Sequence, residues 1–176
     1  GIIYANNGNI EKAIADFDQA LELDRNDPEA YYVRGSAYYD KGDLEQAITD
    51  FTHSLRLNPN ISVTYHNRGL AYYDKGNIEM AIDDYTEALR INPQDSKSYY
   101  HRALAYSAKD RIEQAIADYN NVLNINPKDS KACYNRGLAY LRVSDIDNAI
   151  ASFSQVLEID PGLADAYNNR AIAYSL

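Results

Sequence analysis

Residues 67–93 read NRGLAYYDKGNIEMAIDDYTEALRINP, and the same pattern returns at a fixed period, the interval from Arg34 to Arg68, along the 176-residue chain. Three kinds of residue keep this spacing without a shift in phase. They are Arg34, Arg68, Arg102, Arg136 and Arg170; Pro59, Pro93, Pro127 and Pro161; and the Ala-Ile pairs that begin at Ala13, Ala47, Ala81, Ala115 and Ala149. A fixed period of this length is typical of stacked helical repeats, in which each unit packs mainly against its neighbours.

The period divides the chain into a single array, 1–176. We predict a partial repeat over 1–27 and a lone first helix over 164–176. Four full repeats lie between them, at 28–61, 62–95, 96–129 and 130–163. Because Gly1 falls inside a repeat, we expect the chain to be a fragment of a longer array.

The residues of the second repeat, 28–61, predict a pair of helices. Pro28 suits the first turn of helix A, which we place at 28–41. Gly42 ends this helix, because glycine adopts the left-handed conformation without steric cost. Helix B follows at 44–57, with Asp43 as its N-cap and Asn58-Pro59 as its stop signal.

The turn between helices A and B differs among the repeats. Gly8 and Gly76 occupy the position of Gly42, whereas Asp110 and Ser144 replace glycine in the later repeats. Residues with a Cβ are sterically disfavoured at positive φ. We therefore expect looser turns at these two positions.

These residues resemble the tetratricopeptide repeat family. Its pattern of W-x2-L-G-x2-Y, A-x3-F and P stands here as Tyr31-x2-Arg34-Gly35-x2-Tyr38, Ala47-x3-Phe51 and Pro59. The departures are Tyr for Trp, Arg for Leu, Cys133 at one tyrosine site and Arg25 at one proline site. The resemblance implies an all-α fold, a right-handed superhelical solenoid of antiparallel helix pairs. Helix A would line a concave groove and helix B would cover the convex side.

The arginine at the usual leucine position predicts a structural ladder of Arg–Asp pairs between helices A and B. Two registers are open, because each aspartate lies almost midway in the sequence between the arginine of its own repeat and that of the next. Pairing within repeats would leave Arg136 facing Ser152, so the cost of a stranded interior charge favours pairing across repeats. The ladder residues are Arg34, Asp50, Arg68, Asp84, Arg102, Asp118 and Arg136.

Composition narrows the classes of partner and the compartment. The net charge of -9 argues against nucleic acid and against anionic membrane surfaces. No apolar run is long enough to span a bilayer, so no membrane span is expected. The single cysteine, Cys133, excludes an internal disulfide and fits a reducing, cytoplasmic compartment.

The sequence offers no catalytic or metal-binding constellation, and we expect neither an enzyme nor a cofactor. His53, His66 and His101 are scattered and are interpreted as solvated surface residues. Cys133 stands at a core tyrosine site and is interpreted as a buried, inert thiol. The acidic residues of helix B do not converge on one point, as a carboxylate metal site would require.

The better candidate is a peptide groove on the helix A side. Asparagines stand just before three of the arginines, and in family superhelices such amides can hydrogen-bond an extended peptide backbone. Flat aromatic side chains and two lysines lie beside them, and indicate local positive charge. The predicted groove residues are Tyr32, His66, Asn67, Tyr73, Lys97, Tyr100, His101, Lys131, Tyr134, Asn135 and Asn169.

The resemblance and the groove together favour a protein–protein interaction scaffold that binds a peptide or protein segment. Two alternatives stay open. The chain could be the substrate-recruiting arm of a larger enzyme such as a glycosyltransferase, or a self-assembly module that stacks through its ends. Stacking would use apolar residues at the two ends: Ile2, Ile3, Ile172 and Leu176.

Overall fold

A computed structural model of the chain describes residues 9–176. Residues 1–8 lie outside the described part. The predictions for the Gly8 turn and for Ile2 and Ile3 therefore lie outside it too.

The described residues form ten α-helices and contain no strand, which confirms the all-α fold class. Each full repeat supplies a helix A and a helix B, and the bounds predicted for the second repeat are the observed ones. The helices are α1 (Ile10–Leu23), α2 (Pro28–Lys41), α3 (Leu44–Leu57), α4 (Ser62–Asp74), α5 (Ile78–Ile91), α6 (Ser96–Ala108), α7 (Ile112–Ile125), α8 (Ser130–Arg142), α9 (Ile146–Ile159) and α10 (Ala164–Tyr174).

Local capping fixes where α2 begins and ends. The Asp27 carboxylate accepts hydrogen bonds from the backbone N–H groups of Glu29 and Ala30, which have no partner inside the helix. Gly42 follows Lys41 with φ of 85°, a left-handed C-cap. The helix therefore starts and stops for reasons contained in its own sequence.

The glycine-free turns keep the left-handed conformation, but one of their hydrogen bonds is longer than in the glycine turns. Asp110 has φ of 62° and Ser144 has φ of 58°. The closing bond from the next residue's N–H to the carbonyl five positions back measures 2.9 Å in both turns, as it does after Gly42. The N–H groups of Asp110 and Ser144 lie 3.2 and 3.1 Å from the carbonyl three positions back, against 2.9 Å at Gly42 and Gly76. Packing of the helix pair on both sides of the turn over-determines a backbone conformation that these side chains disfavour. The expectation of looser turns therefore stays a prediction.

The chain divides after Pro93 into two compact units, residues 1–93 and 94–176. In each unit, consecutive helices pack against one another as antiparallel neighbours. The single array over 1–176 stays a prediction.

Within the first unit, helix A approaches helix B closely at a glycine. A Cβ added at Gly69 would lie 2.8 Å from the ring of Tyr85, and one at Gly35 would lie 3.0 Å from Phe51. Both rings are fully buried. The missing side chain on helix A thus makes room for the large aromatic residue on helix B.

The second unit has the same arrangement around a cluster of buried residues. A Cβ at Gly137 would lie 2.7 Å from Phe153. Ala103 stands at the equivalent position and shares the buried cluster with Tyr119. Cys133 is also a member of that cluster and is fully buried, as predicted. This core holds α6, α8 and α10 in place, and these helices carry most of the candidate site.

Candidate functional site

Each arginine of the repeated series is fixed by acceptors on helix B, where it joins helix A to helix B. Arg34 donates from Nε and Nη2 to the two carboxylate oxygens of Asp50, both at 2.7 Å. Arg68 and Asp84 make the same two-bond contact at 2.8 and 2.7 Å. Two parallel charge-assisted bonds give such a pair a defined geometry.

In the second unit, Arg102 binds Asp118 in the same way, at 2.7 and 2.8 Å. The Asp118 side chain is only 4% exposed, and that of Arg102 is 16% exposed. The Arg102 guanidinium also lies 5.6 Å from the ring centroid of Tyr99. These cations are fully engaged inside the fold and are not available to a ligand.

The remaining nitrogen, Nη1, reaches back to the preceding helix B. Arg34 donates from it to Asp18 at 2.7 Å, and Arg68 donates to the Thr52 hydroxyl at 3.0 Å. Arg136 donates to the Asn120 side chain at 2.9 Å. Each of these arginines thus bridges two successive helices of type B.

The preference for pairing across repeats is therefore wrong for the carboxylates named in the ladder. Asp50, Asp84 and Asp118 each bind the arginine of their own repeat. Arg136 is not stranded by this register, because Ser152, Asn120 and Gln155 accept hydrogen bonds from it. Neutral acceptors remove the penalty that had favoured the other register.

A second series of hydrogen bonds lies among the predicted groove residues, between tyrosines and asparagines of successive repeats. Asn135 donates from Nδ2 to the Tyr100 hydroxyl at 2.9 Å, and Asn169 donates likewise to Tyr134 at 2.9 Å. In the first unit, Asn67 donates to the hydroxyl of Tyr32 at 3.1 Å. Neighbouring A helices are thereby connected side chain to side chain.

These bonds leave specific groups available on the groove side. Each tyrosine oxygen accepts from an amide, so its own hydroxyl hydrogen remains a donor. Within the described residues, the amide oxygen of Asn135 receives no hydrogen bond. Burial raises the pKa of Tyr100, and the charge of Asp129 acts in the same direction, so this hydroxyl keeps its proton.

A first cavity of about 260 Å³ opens between the N-terminal turns of α6 and α8. Lys97, Tyr100, His101 and Lys131 line it, all of which were predicted as groove residues. Asp129 lines it as well, but its carboxylate accepts a bond from the Ala132 N–H at 3.0 Å and caps α8. The cavity therefore presents two lysines and a half-buried histidine to solvent.

A second cavity of about 310 Å³ lies between α8 and the start of α10. Tyr100 and Lys131 line this cavity too, together with Tyr134, Asn135 and Leu163. Asp160 and Asp165 contribute carboxylates. The predicted positive charge is thus limited to the first cavity, because the second carries two acidic groups against one lysine.

Four predicted groove residues lie apart from these cavities in the first unit. Tyr32 and Asn67 are half-buried and hydrogen-bonded to each other, and Tyr73 is half-buried. His66 is only 8% exposed, and its ring lies 5.7 Å from that of Tyr85. The interpretation of His66 as a solvated residue is wrong, because helix A turns its side chain towards the core aromatic ring.

Six lining residues were missed by the sequence analysis: Ser96, Asp129, Ser130, Asp160, Leu163 and Asp165. They lie in the turn between repeats or in the first turn of helix A. The sequence could have identified them only by their position in the repeat, because these turns lie at the N-terminal end of helix A in every repeat. Short turn segments of this kind often carry binding residues.

Three further findings limit the chemistry. Burial raises the pKa of the Cys133 thiol, which disfavours the nucleophilic thiolate. Among residues 9–176, no group of three or more His, Cys, Asp or Glu side chains is placed to hold a metal ion. In the same part of the chain, no helix combines the length and apolar character needed to cross a bilayer.

Family models match almost the whole sequence. One described as TPR repeat matches residues 1–42, 35–76 and 105–144, and two described as Tetratricopeptide repeat match 62–95 with 130–163, and 84–117. The chain belongs to the tetratricopeptide repeat family. The resemblance stated from the residues is confirmed, and the family supports a protein-interaction scaffold whose repeat fold is typically non-catalytic.

Solved tetratricopeptide repeat structures share the fold. MamA is 26% identical with a TM-score of 0.87, over 92% of this chain and 95% of MamA. The C-terminal part of a TPR repeat-containing protein from Cytophaga hutchinsonii is 25% identical with a TM-score of 0.86, over 97% of this chain and 67% of that one.

YrrB, described as a TPR protein with an unusual peptide-binding site, is 24% identical with a TM-score of 0.83, over 90% of this chain and 82% of YrrB. At this identity the likeness shows the fold alone. Comparison with curated sequences gives no significant match.

Proposed function

We propose that this tetratricopeptide repeat chain is a scaffold that holds an extended peptide or protein segment along its A helices. The observation that carries the proposal is the Tyr–Asn series. Tyr100 and Tyr134 retain a hydroxyl hydrogen, and Asn135 retains an amide oxygen, on the side lined by the two cavities. An extended backbone offers a carbonyl acceptor and an N–H donor at every residue, which complements these groups.

The aromatic rings add apolar contact area to this polar pattern. Tyr100 packs edge-on against Tyr119 with ring centroids 6.0 Å apart, and Tyr134 packs against Phe153 at 5.9 Å. Their rings are therefore held by the core before a ligand arrives. A tyrosine fixed in this way loses little conformational entropy on binding.

A randomised peptide library displayed on phage tests the proposal. Peptides selected on the wild-type protein should bind Asn135→Ala about ten-fold more weakly, since one or two hydrogen bonds are lost. Asn124→Ala is the matched control, because Asn124 is exposed on helix B of the same unit and lines neither cavity. Equal binding of the selected peptides to wild type, Asn135→Ala and Lys131→Ala would place recognition elsewhere and contradict the proposal.

The role as recruiting arm of a larger enzyme would use the same groove. Self-association is favoured by a different observation: Ile172 is 51% exposed, Tyr174 68% and Leu176 79%. A second copy of the chain would cover these apolar side chains. Sedimentation velocity over a hundred-fold concentration range should then show a dimer that Ile172→Asp weakens, and a monomer throughout would exclude this role.

A further inference from the structure

The two cavities of residues 94–176 are adjacent and carry opposite charge. They share Tyr100 and Lys131, so a ligand that fills one reaches the edge of the other. The first is lined by two lysines, Lys97 and Lys131, against one aspartate, Asp129. The second is lined by two aspartates, Asp160 and Asp165, against one lysine, Lys131. A chain lying along both would pass from a positive wall to a negative one.

The lysines of the first cavity are available for a ligand. Lys97 and Lys131 are exposed, and within the described residues neither ammonium group lies within 4.0 Å of a carboxylate. This contrasts with Arg102, whose guanidinium is engaged by Asp118 on the other side of α6. Among the described residues that line the first cavity, Asp129 alone carries a carboxylate, and it already caps α8.

The second cavity joins its carboxylates to an apolar wall. Asp165 is exposed in the first turn of α10 and, within residues 9–176, forms no ion pair. In the same part of the chain, Asp160 accepts a side-chain hydrogen bond only from the Gly162 N–H, at 3.1 Å. Tyr134 and Leu163 lie beside these carboxylates. The long methylene stem and charged head of an arginine or lysine match such a surface, with the stem on the apolar residues and the head at the carboxylates.

We propose that the segment bound here carries an acidic residue in the first cavity and a basic residue in the second. The cavities lie one repeat apart, which is roughly 10 Å for adjacent packed helices. An extended chain advances at most about 3.3–3.6 Å per residue. The acidic and basic residues are therefore two to four positions apart. This inference rests on the proposed function and names the class of peptide that the same groove selects.

Four fluorescein-labelled decapeptides with the same Ser/Ala/Tyr background test the inference by fluorescence anisotropy. One has Glu three positions before Arg, one has the reverse order, and the other two replace either Glu or Arg by Gln. Of the two peptides that carry both charges, the one with the higher affinity should bind about three- to five-fold more tightly than the peptide without Glu. It should exceed the affinity of the peptide without Arg by a similar factor. Both preferences should shrink at high salt, because these ion pairs are exposed.

Variants of the protein assign each preference to its cavity. Lys97→Ala with Lys131→Ala should abolish the preference for Glu and keep that for Arg, whereas Asp165→Asn should abolish the preference for Arg. Lys128→Ala and Asp147→Asn are the matched controls, since both residues are exposed in the same unit and line neither cavity. Circular dichroism confirms that each variant is folded.

The outcomes separate this inference from the function on which it rests. Binding of all four peptides with equal affinity would overturn the charge pattern while leaving a peptide groove. Preferences that persist in the lysine and aspartate variants would also overturn it. Binding of none of the four, together with no enrichment from the randomised library, would overturn the proposed function itself.

Discussion

Arg136 donates from Nε to the hydroxyl of Ser152 at 3.1 Å, at the place where three other arginines each hold a carboxylate with two bonds. Ser152 is 1% exposed, so this arginine is held beside a buried neutral acceptor. The position therefore tests directly what a carboxylate contributes to the contact between helices A and B.

Ser152→Asp should raise the free energy of unfolding by about 1–3 kcal/mol, because it replaces a neutral acceptor with a charged one beside an arginine already in place. Ser152→Ala is the control and should lower the free energy of unfolding by about 1 kcal/mol. Urea denaturation followed by circular dichroism measures both. A lower stability for Ser152→Asp would mean that desolvation of the new carboxylate outweighs its pairing with Arg136.

Gly137→Ala should lower the free energy of unfolding by about 1–3 kcal/mol, because its Cβ would lie 2.7 Å from the buried ring of Phe153. The chain offers a natural control in Ala103, which occupies the equivalent position in the preceding repeat. Ala103→Gly should cost only about 1 kcal/mol, the usual effect of glycine within a helix. The glycine requirement would be refuted by an unchanged thermal midpoint for Gly137→Ala.

Ser144→Gly should raise the free energy of unfolding by about 0.5–1 kcal/mol, because glycine adopts positive φ without steric cost. Ser144 has φ of 58°. The reverse change is the control: Gly76→Ser, at φ of 84°, should lower stability by a similar amount. A Cβ at Gly76 would meet nothing within 4 Å, so no steric clash complicates this control. The relief of backbone strain should exceed the opposing change in unfolded-state entropy, so thermal denaturation should show shifts of opposite sign.

Ser54→Ala and Thr64→Ala should each leave stability unchanged or raise it by about 1 kcal/mol, because an unpaired buried hydroxyl is costly. Both hydroxyl groups are fully buried and have no hydrogen-bond partner among residues 9–176. Alanine stands at the equivalent of Ser54 in the next repeat, where Ala88 is fully buried. Urea denaturation measures the effect, and a loss of more than about 1 kcal/mol would indicate that the hydroxyls are satisfied by bound water.

The pH dependence of stability should change when the Tyr39 hydroxyl is removed. Burial raises the pKa of Tyr39 to about 12, and its hydrogen bond to Asp74 acts in the same direction. In the unfolded chain this pKa is 10.0. The contribution of the protonated phenol to stability is thus fully present below pH 10 and is lost as the pH rises towards 12.

The difference in free energy of unfolding between wild type and Tyr39→Phe should therefore be constant below pH 10 and should decline above it. Tyr73→Phe in the following repeat is the control for general tyrosine ionisation. A difference that stays flat up to pH 12 would contradict the raised pKa.

The helices were predictable because their boundaries are encoded locally. Pro28 and Gly42 mark the two ends of α2 in the sequence, through the fixed φ of proline and the left-handed conformation of glycine. The register of the Arg–Asp pairs was not predictable. Asp50 lies at nearly equal sequence separations from Arg34 and Arg68, and either pairing fits an antiparallel helix pair. The pair that forms depends on how the turn positions one helix relative to the next. The repeat pattern in the sequence does not contain this geometry.

The candidate site was predictable only in part, for a similar reason. Tyr100, Asn135 and Lys131 follow from the face of helix A that they share. The bond between Tyr100 and Asn135 joins two repeats, and the sequence does not show which side chains meet there. His66 occupies the same position in its repeat as Tyr100, but its side chain packs against the core. The acidic residues of the second cavity come from turn segments or the first turn of a helix, where helical periodicity gives little information.

Every guanidinium described above as bridging two B helices uses acceptor positions that are two apart in the repeat pattern. Helix α3 supplies Asp50 to Arg34 and Thr52 to Arg68, and α9 supplies Ser152 to Arg136 and Ser154 to Arg170. Exchange of one whole repeat for another therefore has to preserve an acceptor at each of these two sites, and a neutral first site needs a further acceptor, as Gln155 provides for Arg136. Reading these positions in each repeat gives a first screen for a chimera assembled from such modules.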